Sequence, residues 1–589
     1  MENLLSHNFM NVSREQGNKL IFENKSAFLQ SLENLVLEDN SYSAKAKLKD
    51  KLYQIFAMAR DAITESSLGV VLKKGRFKGM TPLACLCGFK KGVLMLSNDE
   101  VLLGKITKAN LNMVIKHGGS KGRSSLAYLA RTPEGQRLLK DDRDFRGKIT
   151  EEGLNAVISE GKHKGKSVLY FLSSTDLGRQ MLLDDDELRA KISKKGLNAV
   201  ISEGKHKGKS VLYFLSSTDL GRKMLLDDDD LLAKISKEGL NAVIVEGEHK
   251  GKSVLYYLAS TFTGRYLLRC DDDLVANIRA EGLNAAISEG EFKGSSALYH
   301  LANSSDGLQL LLENDELVGK ITEEGLNAVV EGENYAGFSA LWYLAAYPEG
   351  RVILSRSPDL RAKITVEGLN AVIALGESAL LHLACQPEGR QILMDDEDLR
   401  GKITAEGLNA VVTSGVREGE SALFHLTSQP EGRQILINNS DLRDKISEAG
   451  LKAVVAKGNR KGESALYNLA ANLDGQNLLI ADRTLRGKIT LSGLNVTIPT
   501  VHKSALDYLK LTSAGKELIK QVKALQNSPA LKLLSGCAKK LQNTEKGVLR
   551  PQSSMQFMSP KVTKRNINDE LMVCDNSDKA LMCGKKRKV

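Results

Sequence analysis

The sequence predicts an all-α protein, an elongated α-solenoid of about eleven short-helix units closed by helical caps, on three observations. The first is a period. A segment of the form Ile-Thr/Ser-x-x-Gly-Leu-Asn-Ala-Val-Ile places its glycine at Gly153, Gly196, Gly239, Gly282, Gly325, Gly368, Gly407, Gly450 and Gly493, and seven of the eight steps are 43 residues long. The step from Gly368 to Gly407 is 39 because the loop before Ser378 is four residues shorter, and degenerate copies with Ser67 and Asn110 at the same place extend the series toward the N-terminus. A fixed period in this range means units that bury their apolar faces on their neighbours. The second observation is that apolar residues inside each copy fall at helical spacing rather than in alternation. The third is that both ends lack the repeat, as terminal caps do.

Residues 1–62 hold two amphipathic segments, 26–37 and 44–62, which predict an N-terminal helical cap over the first apolar edge. The repeats occupy 63–503. In the copy that opens at Ile149, Thr150 is placed to cap a helix whose first turn carries Glu151 and Glu152, acids that oppose the positive end of the helix dipole. Leu154, Val157 and Ile158 then form one apolar stripe, and Gly161 ends the element. Ser167 starts a second short helix, Ser-Val-Leu-Tyr-Phe-Leu, and a Ser-Thr-Asp break leads to a third that runs from about Leu177 toward Ala190, with Met181, Leu182, Leu183, Leu188 and Ile192 buried. Three such helices per unit are too short to stand alone and need stacking to hold them. Residues 504–542 are helical in pattern and rich in lysine, a C-terminal cap, and 543–589 read as a disordered basic tail.

The net charge of +11 is unevenly placed. From Ser504 onward there are 17 Lys and Arg against 7 Asp and Glu, which leaves +1 for the preceding 503 residues. A solenoid that wrapped nucleic acid along its length needs a sustained basic face, so the balance argues for a protein partner first and nucleic acid second. Seven cysteines follow no repeat register and none makes a C-x-x-C pair, the pattern of reduced thiols in the cytosol or nucleus. The N-terminus lacks a secretory signal, and no stretch approaches the roughly 18 apolar residues of a membrane span. No cofactor, metal or catalytic residues are expected. There is no ordered Ser-His-Asp or Cys-His set and no phosphate loop, and the histidines sit one per unit.

The start of the second helix carries a family likeness. Gly79-Met80-Thr81-Pro82-Leu83-Ala84-Cys85-Leu86 resembles the G-x-T-P-L-H-x-A signature of ankyrin repeats, and later copies read G-x-S-A-L-Y-x-L-A, as from Gly337 to Ala345. The likeness covers roughly 20 residues of each unit; Tyr mostly replaces His, and about ten extra residues stand where ankyrin repeats place a hairpin. A three-helix, armadillo-like stack has a similar period. In ankyrin repeats the x before the final Ala faces the concave side and varies with the partner. Carried onto this chain, the resemblance implies a partner-binding stripe at Tyr128, Phe171, Phe214, Tyr257, His300, Tyr343, His382 and His425. Rings packed against the next unit are the alternative. Arrays with near-identical neighbours, such as Gly153 to Leu183 against Gly196 to Leu226, resemble secreted effectors of intracellular bacteria, which implies action inside a eukaryotic host cell without a standard signal peptide.

Two further recurrences read as structural. The Asn of Gly-Leu-Asn recurs from Asn112 to Asn495, with Lys452 the exception, and predicts a ladder of amides bonded to adjoining backbone. The Arg of the Gly-Arg pairs, such as Arg179 and Arg222, precedes an acidic run (Asp184 to Glu187) and is placed to pair with carboxylates of its own or the next unit. Loops are basic early, as at Lys162-His163-Lys164, and mixed or acidic later; together with the aromatic stripe they support the alternative of a nucleic-acid-reading solenoid. The chain ends in Lys585, Lys586, Arg587 and Lys588 before Val589, which resembles a monopartite nuclear import signal and implies importin as a second partner. The expectation is a non-enzymatic protein-binding scaffold working in the nucleus or cytoplasm of a eukaryotic cell.

Overall fold

Every full copy of the repeat folds into the same succession of short helices. In the copy opening at Ile149 these are Glu151–Asn155, Val168–Ser173, Asp176–Asp184 and Asp186–Ala190. Side-chain oxygens of Thr150, Ser167, Thr175 and Asp185 accept from the backbone N–H groups of Gly153, Tyr170, Gly178 and Leu188, so each helix opens on an N-cap. The computed structural model describes residues 13–16, 19–22, 25–36, 41–116, 120–161, 163–203, 206–247, 249–332, 336–499 and 502–526. Among these the protein is mostly helical.

Two expectations are corrected here. The segment read as a single third helix divides at Asp185, whose backbone (φ −130°, ψ 96°) leaves the helical region while its side chain caps the next turn. The acidic run is thus an N-cap followed by first-turn acids, Asp186 and Glu187, set against the positive helix end. The stripe Leu154, Val157, Ile158 is also broken. The first helix stops at Asn155, Ala156 turns extended (φ −58°, ψ 124°), and Val157 pairs with Ser167 in an antiparallel bridge. Leu154 and Ile158 are buried while Val157 is 41% exposed.

Helices of five to nine residues hold because they stack. Val168–Ser173 packs between Ser125–Ala130 and Val211–Ser216, and Asp176–Asp184 between Pro133–Asp141 and Asp219–Asp227. The buried apolar residues join into one cluster from Ala27 to Val522. At the N-terminal end, Lys25–Glu33 and Tyr42–Met58 meet through Phe28 and Phe56, both fully buried and edge to face at 5.3 Å, and Tyr42–Met58 packs on Pro82–Cys87. An antiparallel hairpin, Ser13–Gln16 with Lys19–Phe22, precedes them and was not expected from the sequence. At the other end, Ala505–Leu509 and Ser513–Gln526 echo the second and third helices of the copies before them: Ser504 caps Asp507 as Ser464 caps Tyr467. The chain divides into units at Lys523, and all but the last residues of Ser513–Gln526 described here belong to the first, Met1–Lys523. The expected tail 543–589 with Lys585, Lys586, Arg587 and Lys588, and residues 527–542 of the expected C-terminal cap 504–542, lie outside the described residues.

Successive copies are joined by polar ladders as well as by the core. Asn155 Nδ2 donates to the carbonyls of Glu151 in its own helix and of Lys191 at the end of its copy, at 2.7 and 2.8 Å, and Asn155 Oδ1 accepts from the N–H of Ser193 in the next copy at 3.1 Å. The same three bonds form at Asn112, Asn198, Asn241, Asn284, Asn327, Asn370 and Asn409. The anchor glycine makes room for them: a Cβ on Gly196 would stand 1.9 Å from Asn155 Oδ1. The first joint is keyed in reverse. Gly69 holds the Asn position, and Asn110, at the anchor position, donates back to the carbonyl of Glu65 at 2.8 Å. At the last joint Lys452 replaces the Asn and pairs with Glu448 of its own helix.

Arginines add two more ladders. Those of the Gly-Arg pairs are buried, Arg265 being half-buried, and donate to carbonyls at the end of the second helix, as Arg433 does to Thr427 O at 3.1 Å. Their carboxylate partners are first-turn acids of the third helix, in the same copy for Arg179 with Asp176 and in the next for Arg433 with Asp474 at 2.7 Å, rather than the acidic run. The acidic run instead receives an arginine from the fourth helix of the preceding copy, as in Arg189 with Asp228 at 2.9 Å and Arg361 with Asp396 at 2.7 Å.

Candidate protein-binding surface

The second helix of each copy carries the proposed stripe, and it is buried from end to end in copies such as Val168–Ser173. Tyr128, Phe171, Tyr343, His382 and His425 are only 4–7% exposed, and Phe214, Tyr257 and His300 are half-buried. The exposure that the stripe expectation needs is therefore not found. The reason is the ring at the preceding position. Tyr170 sits edge-on to Phe171 at 6.0 Å and to Phe214 of the next copy at 5.1 Å. The contact recurs for Tyr213 with Tyr257 at 5.3 Å, Tyr256 with His300 at 4.7 Å, Tyr299 with Tyr343 at 5.4 Å and Trp342 with His382 at 4.6 Å. One edge-to-face series thus runs from Phe171 to His382, and each ring pair stabilises its joint by about 0.5–1.5 kcal/mol beyond area burial. Tyr213 Oη and Tyr257 Oη lie 3.3 Å apart within it.

The residue before each Ser cap changes with the ring it meets. Lys166, Lys209 and Lys252 place Nζ over Tyr170, Tyr213 and Tyr256 at 5.1, 5.1 and 5.6 Å, cation–π contacts that cover the early rings. Later copies carry Glu377 and Glu420 there, opposite His382 at 3.3 Å and His425 at 2.9 Å. Burial, helped by Arg265 and Lys252, pushes His300 down to about 3 and keeps it neutral, and burial also lowers His382. Burial acts the same way on His425, but its hydrogen bonds to Cys385 and Glu420 outweigh that and raise it.

The early basic loops are paired along the series. Lys121 meets Glu160 of the next copy at 2.8 Å, Lys164 meets Glu203 at 2.8 Å, and Lys207 meets Glu246 at 3.7 Å. Each of these three lysines thus has a carboxylate of the next copy beside it. Lys162, Lys205 and 333–335 of the variable loops lie outside the described residues.

What the surface does offer in register is apolar. Val114, Val157, Val200, Val372 and Val454 occupy the same position, two residues past the Gly-Leu-Asn helix, and are 36–45% exposed; Val243, Val329 and Val411 at that position are half-buried. Extended backbone turns these side chains outward, with a Val–Ser bridge at Val157, Val372 and Val454, since successive residues of an extended strand face opposite ways and Ile158 or its equivalent takes the inward one. The same short helices expose carboxylates, among them Glu151, Glu152, Glu323, Glu324, Glu367 and Glu406, against fewer lysines such as Lys194 and Lys195. Helical spacing hid this row, because it assigned Val157 to the core. The signal available was the β-branched Ala-Val-Ile itself, which favours extended backbone.

Among the described residues no group of His, Cys, Asp and Glu is arranged to hold a metal ion, and no helix is long and apolar enough to cross a membrane. No protein-family model matches the chain, and a search of curated proteins found no match.

Proposed function

We propose that the serially packed helices form an α-solenoid of about eleven ankyrin-like units that works as a non-enzymatic scaffold, holding a protein partner along one edge. The observation that carries this is the row of valines at one register, exposed at Val114, Val157, Val200, Val372 and Val454 and interrupted by Ala286, flanked by exposed carboxylates. A repeated apolar contact with an acidic border fits a partner surface that is apolar and basic, and regularly spaced anchors of this kind let many weak contacts add along an extended partner. The half-buried rings of Phe214, Tyr257 and His300 contribute edges to such a contact; the other stripe residues act through the stiffness they give. Pairing of the early lysines with glutamates of the next copy favours protein over nucleic acid. In this proposal the terminal Lys585, Lys586, Arg587 and Lys588 engage importin, and the protein acts in the nucleus or cytoplasm of a eukaryotic cell, into which a bacterium delivers it as an effector.

The test is capture from eukaryotic nuclear and cytosolic extracts, with and without nuclease, using the full chain, a version ending at Asn543 and a variant with Val114, Val157, Val200 and Val372 changed to Asp. A nuclease-resistant protein bound by the first two and lost from the third, with all three melting alike, is the expected result. Binding that disappears with nuclease, or that survives the four substitutions, overturns it. Nuclear accumulation of the full chain that persists after Lys585, Lys586, Arg587 and Lys588 are changed to Ala would remove the import step.

A further inference from the structure

Two grooves open between the third helices of successive copies, at one register of two different joints. The larger, about 510 Å³, lies between Pro430–Asn438 and Leu473–Ala481, with the fourth helices Ser440–Asp444 and Arg483–Gly487 contributing one arginine each. Its floor is apolar: Leu478 is buried, Ile437 is half-buried, and Ala481 stands exposed one helical turn beyond Asn477. The smaller, about 430 Å³, lies two joints earlier between Pro348–Arg356 and Pro387–Asp395.

In the larger groove both carboxylates are already bonded through both oxygens. Asp482 accepts from Arg443 Nε at 2.6 Å and from the N–H of Leu485 at 2.9 Å, while Asp474 accepts from Arg433 Nε at 2.7 Å and from the N–H of Gly475 at 2.9 Å. Arg443 Nη1 is held in turn by the carbonyls of Leu436 and Ile437 at 2.7 and 2.8 Å. That leaves the Arg483 guanidinium and the Asn477 amide, both exposed and both without a hydrogen-bond or ion-pair partner among the described residues. The smaller groove has the same frame and the opposite charge. Asp395 replaces Ala481, Gln391 replaces Asn477 and donates to Asp395 at 2.7 Å, and Glu397 replaces Arg483. An acid holds the Arg483 position at Asp186, Asp229, Asp272 and Asp315 as well, so the cation departs from the repeat at the groove where the neighbouring acid is also lost.

We propose that the larger groove binds the carboxy-terminal end of a protein chain that finishes in an aliphatic residue. The terminal carboxylate pairs with Arg483, whose planar guanidinium presents two parallel N–H donors to it. The aliphatic side chain covers Leu478, Ile437 and Ala481, and the Asn477 amide, about 6 Å along the helix from Ala481, donates to and accepts from the last peptide bond. A peptide end fits better than a fatty acid because Asn477 offers a donor and an acceptor together, and an alkyl chain uses neither. The volume is that of a small-ligand site, and charge complementarity selects the carboxylate. The groove shares no residue with the valine row, so this binding stands or falls separately from the scaffold reading.

The probe is acetyl-Gly-Gly-Ala-Leu with a free carboxylate, titrated to millimolar concentration against the full chain and followed by ligand-detected NMR. The same peptide ending in an amide is expected to bind at least about tenfold more weakly, having lost the charge that Arg483 pairs. Arg483→Glu, which restores the acid of the other copies, and Ala481→Asp are each expected to weaken the acid peptide by about as much, with melting curves unchanged because both positions are exposed. Substituting the exposed valines by Asp leaves the binding as it was. No binding of the acid peptide at millimolar concentration overturns the proposal, as does equal binding of acid and amide, or unchanged affinity in a folded Arg483→Glu protein. Octanoate that displaces the peptide at equal concentration assigns the groove to lipid acids and overturns the peptide end.

Discussion

The tightest constraint in the chain is a pair of residues 41 positions apart. Asn198 makes three hydrogen bonds, two of them to Lys234 and Ser236 on either side of the start of the next copy, and a Cβ on Gly239 would stand 2.0 Å from its Oδ1. Asn198→Ala leaves the carbonyl of Lys234 and the N–H of Ser236 short of a partner, a loss of about 2–3 kcal/mol that chemical denaturation will register. Gly239→Ala is expected to cost as much, whereas Gly493→Ala is mild: the nearest atom there is Lys452 Cγ at 3.1 Å, part of a side chain that can move aside. Histidine chemistry gives a pH prediction. With His300 lowered to about 3 in the fold, the unfolded chain binds the extra proton between that value and its ordinary 6.5, so this residue's contribution is complete above that range and lost as pH falls. Stability should drop by about 2 kcal/mol from this residue between pH 7 and pH 5, and H300Y, which copies Tyr257 and Tyr343, should remove that part of the drop in melting curves. The ladder was legible at this scale, because an Asn two residues past the anchor Gly in nearly every copy, Lys452 excepted, asks for a bonded amide with a fixed neighbour. The edge-on contact of Tyr170 with Phe214 was not, since only stacking places residues of different copies side by side.

Among the elements, the division of the third segment shows where pattern reading stops. Apolar residues from Met181 to Ile192 fit one helix, and nothing in their spacing marks the break; the cap at Asp185 does, through the N–H of Leu188 at 2.9 Å. Asp185 also accepts from Arg146 Nε at 2.5 Å, so Asp185→Ala removes a cap and an inter-copy ion pair together. A loss of about 1–2 kcal/mol, read from denaturation midpoints, is expected, with Asp185→Asn keeping the cap and recovering part of it. The aromatic row was correctly placed by register, one side chain per copy on the second helix, but its exposure was not, because burial depends on the ring that the adjoining copy lays across it. Changing Phe171, Phe214, Tyr257 and Tyr343 together to Ser should therefore collapse the middle of the array, with loss of the cooperative melt and of helical circular dichroism.

For the whole molecule, identical joints predict tolerance to loss of a whole period. Removing residues 197–239 brings Gly196 against Leu240, so Asn155 still meets Gly196 and the copy that follows meets its own neighbour in register. Such a chain should fold with its helical spectrum scaled to length, while a shorter deletion that cuts into the capped helices should be destabilised at the joint it interrupts; the loop before Ser378, four residues shorter, leaves the three bonds of Asn370 in place. Period and helix content were readable at this scale because each copy repeats the same message. The outward valine row was not, as it depends on a helix ending two residues earlier than apolar spacing implies.

The reversed key at Gly69 and Asn110 bears on how this gene can have grown. Tandem duplication of the copy anchored at Gly153 sets its Asn155 against another Gly153, a joint indistinguishable from the existing ones. Duplicating the copy anchored at Asn110 would set Asn112 against Asn110, two amides in a space that holds one, and duplicating the first would leave Gly69 facing Ser67 with no amide at all. Recombination can therefore lengthen the interior freely and is penalised at the start. The near-identity of the stretches following Gly153 and Gly196 is what that asymmetry would leave behind, and divergence of the opening copies is the ancestral boundary it preserves.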